Sequence, residues 1–341
     1  MVWLGTAAQG RDNNFNLIRM VAAMAVLVSH AWPLTQGASV VEPLKVFSGH
    51  TLGTLSVYIF FAISGFLITA SYTRTSRLRR FVLARVLRLF PGLFVSLLLV
   101  AFVLAPFVTL LPLQDYFTHP KTTSFLLRNL TLVSPQYTLP GVFTTNIYPT
   151  VEGSIWTLVH EVICYGLVVL AGATGLLRRG WPILLFLSLY AGTWIATTLF
   201  HVPIDQKLLQ LQGLSLPFVF GMLAWVWRDR IPLSGWIFLG LGLAAFAARH
   251  SQIAYPVVIG FLAYGSFWLA YVPSGKIRRY NLLGDYSYGM YIYAFPLQGL
   301  VVWLIGPTNP FLHIMIALPI TLAISILSWY YVEAPALALR K

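Results

Sequence analysis

The sequence predicts an all-α protein, a polytopic bundle of about ten transmembrane helices with both termini in the cytoplasm. Two observations predict this fold class. Only 9% of the 341 residues are charged and 58% are hydrophobic, whereas a soluble domain usually carries about 25% charged residues. In addition, most lysines and arginines lie in short segments between long apolar stretches, which is the usual position of membrane topology signals.

Ten apolar stretches approach the length of about 20 residues that a helix needs to cross the hydrocarbon core. They cover residues 15–34, 54–72, 86–111, 153–172, 181–200, 208–227, 232–248, 252–272, 286–305 and 311–332. Turn-forming or basic residues separate them, as in Arg178-Arg179-Gly180. We therefore expect one transmembrane domain over residues 1–341, with a single long external loop at about 112–152.

The distribution of positive charge predicts the orientation of the chain. If the N-terminus is cytoplasmic, sixteen of the 22 lysines and arginines fall in cytoplasmic segments and five in external ones. This bias favours an even number of spans with both ends inside. It also accounts for the net charge of +13, so we expect membrane lipids rather than nucleic acid as partners of the basic segments.

Two polar residues in the first stretch indicate function, because charged groups within a span are costly. Arg19 and His30 are eleven residues apart, close to three helical turns, so both lie on one face about 16 Å apart along the axis. The alternatives are an arginine that snorkels to the inner headgroups and a histidine that is merely hydrogen-bonded within the bundle.

The fourth stretch contains Glu161, which by residue count lies at a depth similar to that of His30. A carboxylate facing this imidazole would orient the ring and stabilise its protonated form. We therefore predict that Glu161 faces His30. The alternative is a neutral glutamate that is hydrogen-bonded to helix backbone.

The segment after the second stretch is rich in arginine. Arg85 and Arg88 are three residues apart and share one face of a helix that enters the bilayer. Guanidinium groups suit bidentate capture of phosphates, so these residues are candidate ligands of an anionic cosubstrate. The alternative is topology determination with contact to anionic lipid.

Six motifs occur in order along the chain: Arg19-x10-His30, Tyr58–Ile68, Arg85-x-x-Arg88 with Pro91, Gly153–Tyr165, Ser287–Tyr293 and Tyr331–Pro335. In combination they resemble the membrane acyltransferases of family 3. Two positions depart from the family pattern. Glu152 stands where the family often has Asn, and Ala294 stands where it often has His.

The resemblance implies transfer of an acyl group, commonly acetyl, from cytosolic acyl-coenzyme A (acyl-CoA) to a hydroxyl of an extracytoplasmic glycan, lipid-linked saccharide or antibiotic. Acyl-CoA would be a cosubstrate, with no tightly bound cofactor and no metal. The expected location is the bacterial cytoplasmic (inner) membrane. Some relatives carry an extra esterase-like domain after the last span, and because this sequence ends at Lys341 we expect that domain to be absent.

The resemblance also implies roles for individual residues. Arg19, His30 and Glu161 correspond to the family's catalytic residues, and we expect His30 to act as general base. Arg85 and Arg88, with Arg19, are expected to bind the cosubstrate. Trp156, Tyr288 and Tyr291 are the candidate substrate-binding residues.

Two other classes of function compete with an enzyme. The first is a transporter or flippase, in which the buried Arg, His and Glu would form a substrate or proton path. Transporters commonly show inverted repeats, and the sequence contains no such pairing. The second is a membrane scaffold without chemistry, which would not need three ionisable residues within its spans.

Overall fold

The computed structural model describes residues 2–10, 12–75, 77–175, 177, 181–198 and 200–340, with backbone alone for 181–187. The predicted turn at Arg178-Arg179-Gly180 therefore lies outside the described residues. The α-helices, numbered α1 to α16, are Leu4–Ala7, Phe15–Gln36, Pro43–Ser48, Leu52–Arg74, Leu78–Leu99, Ala105–Val108, Leu113–Thr118, Pro120–Thr131, Trp156–Ala173, Trp181–Thr198, Gln206–Val226, Gly235–Ala248, Ala254–Tyr271, Ser287–Ile305, Pro310–Ser328 and Ala334–Ala338.

Shorter elements complete the described chain. A π-helical turn at Val100–Leu104 joins α5 to α6, and a second one at Trp329–Glu333 joins α15 to α16. Two 3-10 segments are Arg228–Arg230 and Gly275–Leu282. Strands β1 (Val2–Trp3) and β2 (Pro232–Leu233) pair antiparallel, so the N-terminal segment lies beside the connection between α11 and α12.

The prediction of a polytopic helical bundle is confirmed. Within the described residues, eight helices are long and apolar enough to cross a membrane: Phe15–Gln36, Leu52–Arg74, Leu78–Val108, Trp156–Ala173, Gln206–Val226, Ala254–Tyr271, Ser287–Ile305 and Pro310–Ala338. The other two predicted spans coincide with α10 and with α12, and α12 has only 14 residues. At 1.5 Å per residue, α12 is about 21 Å long, which is less than the hydrocarbon thickness of about 30 Å.

Helices α4 and α11 approach closely through small residues. A Cβ atom on Gly65 would lie 1.9 Å from the carbonyl oxygen of Phe218, and one on Gly221 would lie 2.0 Å from that of Ala62. Gly-mediated contact of this kind is typical of helix pairs in membranes, where close van der Waals packing replaces the hydrophobic driving force. The contact fixes α4, which lines both cavities described below.

The segment between α6 and α9 corresponds to the predicted external loop. It is folded over the end of α14: Asn146 donates a hydrogen bond of 2.9 Å to the carbonyl of Gly299, and a Cβ atom on Gly299 would lie 2.7 Å from the ring of Phe143. Within the loop, the buried amide of Asn129 bonds the backbone of Gln136 in both directions. The loop is therefore a packed structure attached to the bundle.

Candidate active site

Two polar cavities lie within the bundle, one containing Arg19 and the other His30. The inner cavity has a volume of about 130 Å³ and is lined by α2, α4, α5, α9 and α14. Its polar lining consists of Arg19, Ser64, Arg85, Arg88, Thr157, Glu161, Tyr165, Ser287, Tyr288 and Tyr291. The structure therefore brings together, in one cavity, all three arginines that the sequence nominated for the cosubstrate.

Asp285 joins two of these arginines. Its Oδ2 lies 2.8 Å from a terminal nitrogen of Arg19 and 2.6 Å from one of Arg88, and its Oδ1 accepts a hydrogen bond of 2.6 Å from Ser287. Burial alone would raise the pKa of this carboxyl, but Arg19 and Arg88 outweigh burial and lower the pKa to about 2. Asp285 is thus a charged bridge that fixes both guanidinium groups.

Arg85 differs from its two neighbours. It lines the same cavity, yet among the described residues it forms no ion pair, whereas Arg19 and Arg88 both pair with Asp285. Arg340 donates a hydrogen bond of 3.0 Å to the carbonyl of Ala84, and partial burial together with the charges of Arg85 and Arg88 lowers the pKa of Arg340. Arg85 and Arg340 therefore give this end of the cavity an excess of positive charge.

Glu161 lies in the inner cavity, where it accepts a hydrogen bond of 3.1 Å from Ser64. The hydroxyl of Tyr165, one helical turn further along α9, donates to the same carboxylate oxygen. Two hydroxyl donors on one oxygen fix the orientation of the carboxylate.

The π-helical turn at Trp329–Glu333 directs a second glutamate toward the arginines. Glu333 is buried, accepts a hydrogen bond of 3.0 Å from Ser328, and lies 3.9 Å from Arg88. Tyr288 packs beneath Arg88, with the guanidinium carbon 5.8 Å from the ring centroid, and its hydroxyl donates to the carbonyl of Leu89. A regular α-helix would direct residue 333 elsewhere, which agrees with the frequent occurrence of π-bulges at functional sites.

The outer cavities surround His30. One has a volume of about 520 Å³ and a second, of about 400 Å³, adjoins it; both are lined by His30 and Trp156. The ring of His30 packs edge-on against Phe295 at 5.1 Å between centroids. Its Nδ1 is buried without a hydrogen-bond partner among the described residues. An imidazole that borders a cavity and forms no ion pair in the described structure can accept a proton from a molecule bound there.

The prediction that Glu161 faces His30 is wrong. No hydrogen bond or ion pair between them is present in the described structure, and they line different cavities. Residue counting compares only the depth of two residues along their helix axes and does not give the direction of a side chain. Glu161 projects from α9 into the inner cavity, beside Ser64 and Tyr165.

A hydrogen bond between two hydroxyl groups separates the inner cavity from the outer one. The Tyr291 hydroxyl lies 2.5 Å from that of Thr157 and 3.2 Å from the carbonyl of Ser154. Tyr291 and Val57 line both cavities. In the described part of the chain Arg19 and His30 therefore share no cavity, although two residues, Val57 and Tyr291, border the space beside each of them.

Sequence reasoning missed Asp285. The sequence did contain a signal that could have identified it. The chain has only nine acidic residues, and Asp285 directly precedes a predicted span and the Ser287–Tyr293 motif. Glu333 belonged to a quoted motif, but its contact with Arg88 depends on the π-helical turn, which spacing at 3.6 residues per turn does not predict. Of the substrate-binding candidates, Trp156 lies in the outer cavities, Tyr288 in the inner cavity and Tyr291 between them.

Comparison with known proteins identifies the family. The model of the family 3 acyltransferase domain matches residues 12–330. An O-acetyl transferase of Shigella phage Sf6 is 29% identical over 305 residues, 86% of each chain. Nodulation protein 10 of Rhizobium leguminosarum bv. viciae is 27% identical over 98% of this chain and 95% of its own length. No solved structure matches significantly. The predicted resemblance is thus confirmed, and the chain belongs to acyltransferase family 3 as a multi-pass membrane acyltransferase.

Proposed function

We propose that this enzyme transfers an acyl group, most simply acetyl, from cytosolic acyl-CoA to a hydroxyl group of an extracytoplasmic glycan or lipid-linked saccharide, and that it resides in the bacterial cytoplasmic membrane. The observation that carries the proposal is the pair of cavities that meet at Tyr291, one with three arginines and the other with a histidine whose Nδ1 has no hydrogen-bond partner among the described residues. The name of the Shigella phage Sf6 relative supports acetyl transfer to oxygen.

The arginines suit the donor. Because Arg19 and Arg88 are held by Asp285, Arg85 has the greatest capacity to bind a further anion, and Arg340 adds positive charge nearby. Guanidinium groups bind phosphates with charge-assisted hydrogen bonds. In our proposal the phosphates of acyl-CoA bind at this end, and the narrow cavity of about 130 Å³ receives the thioester end of the pantetheine arm.

His30 suits the acceptor. In our proposal its imidazole accepts the proton of the acceptor hydroxyl while that oxygen attacks the thioester carbonyl carbon. The carbon–sulfur bond then breaks, and CoA leaves as the thiol after taking up a proton. The two substrates meet at Tyr291, so the acyl group must pass the hydrogen bond between Tyr291 and Thr157.

Proteoliposomes would test the proposal. Purified protein would be supplied with radiolabelled acetyl-CoA on the side of Arg85 and with glycan from the bacterial surface on the side of His30. We expect label in the glycan and no transfer when the donor is S-acetylpantetheine, which lacks the nucleotide phosphates. Failure of acetyl-CoA to label any glycan, or equal use of both donors, would contradict the proposal.

The transporter alternative makes the opposite prediction. A flippase would move an unmodified substrate across the vesicle membrane without consuming a thioester. The family assignment favours the enzyme.

A further inference from the structure

The two outer cavities form a cleft with two arms. The first arm is the cavity of about 520 Å³, and the second is the cavity of about 400 Å³. Five residues line both arms and define what we call the junction: His30, Pro33, Gly153, Trp156 and Gln210. The proposed base therefore lies where the arms meet, and a bound chain would extend to both sides of it.

Gln210 is the residue of the junction whose chemistry suits a hydroxyl-rich ligand. It is half-buried on α11, and its side-chain amide has no hydrogen-bond partner among the described residues. The amide of Gln212, two residues along the same helix, is by contrast bonded to Thr193 at 3.0 Å. A free amide offers donors and an acceptor together, which matches a sugar hydroxyl.

The walls of the cleft indicate a ligand of low charge. The second arm is lined by Tyr137, Tyr148, Thr150 and Phe295, and its described lining contains no aspartate, glutamate, lysine or arginine. Among the residues described, the lining of the first arm contains one acidic and one basic residue, Glu42 and Lys45, whose formal charges cancel. The carboxylate of Glu42 is already bonded to Ser29 and to the backbone of Leu52. Aromatic faces with few polar groups are typical of small-molecule sites that fix orientation through a small number of hydrogen bonds.

We infer that Gln210 is an acceptor-binding residue that holds a hydroxyl beside the one that reacts at His30, and that the acceptor is an internal unit of a neutral oligosaccharide extending into both arms. The inference rests on the proposed function. A free sugar would fill only the junction and lose the contacts of the arms, whereas a chain gains contacts with Trp32 and Tyr58 on one side and with Tyr137 and Tyr148 on the other.

The test compares Gln210→Ala with the matched control Gln212→Ala in the acetyl-CoA assay. The probes are methyl glycosides of glucose, galactose, mannose and N-acetylglucosamine, and neutral tetrasaccharides of the same sugars. We expect at least one tetrasaccharide to be acylated with a kcat/KM at least tenfold above that of its methyl glycoside. Gln210→Ala should raise the acceptor KM about tenfold, with the KM for acetyl-CoA and the melting temperature unchanged. Gln210→Asn should restore part of the loss, and Gln212→Ala should match wild type.

Each other outcome overturns the inference in a distinct way. Equal acceptor KM values for the two alanine variants would show that Gln210 does not bind the acceptor. A kcat/KM for methyl glycosides equal to that for tetrasaccharides would show that the acceptor does not extend into both arms. If wild-type protein acylates the bacterial surface glycan but no neutral tetrasaccharide, the ligand class is wrong while the proposed function stands. If it acylates nothing, both fail together.

Discussion

The inner and outer cavities meet at Tyr291 but are built from different side chains. The inner one is small and has four charged residues in its lining, Arg19, Arg85, Arg88 and Glu161. The outer cleft is several times larger, and its walls are mainly aromatic, aliphatic and amide groups around His30. Under the proposed function this difference corresponds to a division of labour, in which charge would bind an anionic donor on one side and shape with a few hydrogen bonds would select the acceptor on the other.

The two cavities also differ in how their key groups are held. Arg19 and Arg88 are fixed by the ion pairs with Asp285, whereas the Nδ1 atom of His30 has no hydrogen-bond partner among the described residues. A fixed cation is suited to binding, because its position is set before the ligand arrives. An imidazole without a carboxylate partner is suited to proton transfer, because nothing competes for its proton. Four predictions test this comparison.

The largest effect is expected at His30. His30→Ala should lower acyl transfer by about 10³-fold, because loss of a general base typically costs 10²–10⁴-fold. Binding of acetyl-CoA should be unchanged, since the arginines lie in the other cavity. The measurements are glycan acylation and equilibrium binding of labelled acetyl-CoA. His250→Ala, at an exposed position, is the control, and substantial transfer by His30→Ala would show that the outer cavity contains no base of this kind.

Asp285→Asn should have the next largest effect. Removal of the carboxylate leaves two neighbouring guanidinium groups without their shared partner, and breaking a buried ion pair in this way costs roughly 3 kcal/mol or more. We expect a lower melting temperature and an acetyl-CoA KM raised about tenfold, with the acceptor KM unchanged. The control is Asp12→Asn, since Asp12 pairs with Arg278 at an exposed position and such pairs contribute little. An unchanged donor KM would mean that the bridge has no part in donor binding.

Much of the fold could be predicted from the sequence, because the apolar length of a span is a property of consecutive residues. The eight spans found by length and composition all coincide with predicted stretches. The ends of spans were predicted less well, since α9 begins at Trp156, three residues after the predicted start of its span. An error of three residues is about 4.5 Å along a helix axis, which is comparable to the distance between neighbouring side chains.

The candidate site was predictable only where its partners share a helix. Arg19 and His30 were correctly assigned to one helix, as were Arg85 and Arg88. The bridge of Asp285 to Arg19 and Arg88 joins three separate elements, and the contact of Thr157 with Tyr291 joins residues 134 positions apart. Contacts of this kind follow from the packing of helices against one another, and the spacing of residues along one helix does not encode them.

Tyr291→Phe tests the boundary between the cavities and should have a moderate effect. The variant keeps the ring but loses the hydrogen bonds to Thr157 and Ser154. A hydrogen bond of this kind contributes about 1 kcal/mol to the free energy of unfolding. We expect transfer to fall about fivefold and hydrolysis of acetyl-CoA without acceptor to increase, because water passes more easily between the cavities. Tyr264→Phe is the control, since its hydroxyl bonds Pro232 and Ser234 away from both cavities. Unchanged hydrolysis in Tyr291→Phe would show that the hydroxyl pair does not separate them.

The smallest effect is expected for donor binding as a function of pH. The pKa of Asp285 in the folded protein is about 2, below the ordinary value of about 3.9. The stability from its ion pairs is therefore fully present above pH of about 4 and is lost only as the pH falls toward 2. Between pH 8 and 5 the KM for acetyl-CoA should stay constant. Initial rates at varied acetyl-CoA concentration measure the donor KM, and a donor KM that rises between pH 8 and 5 would show that a group titrating in this range takes part in donor binding.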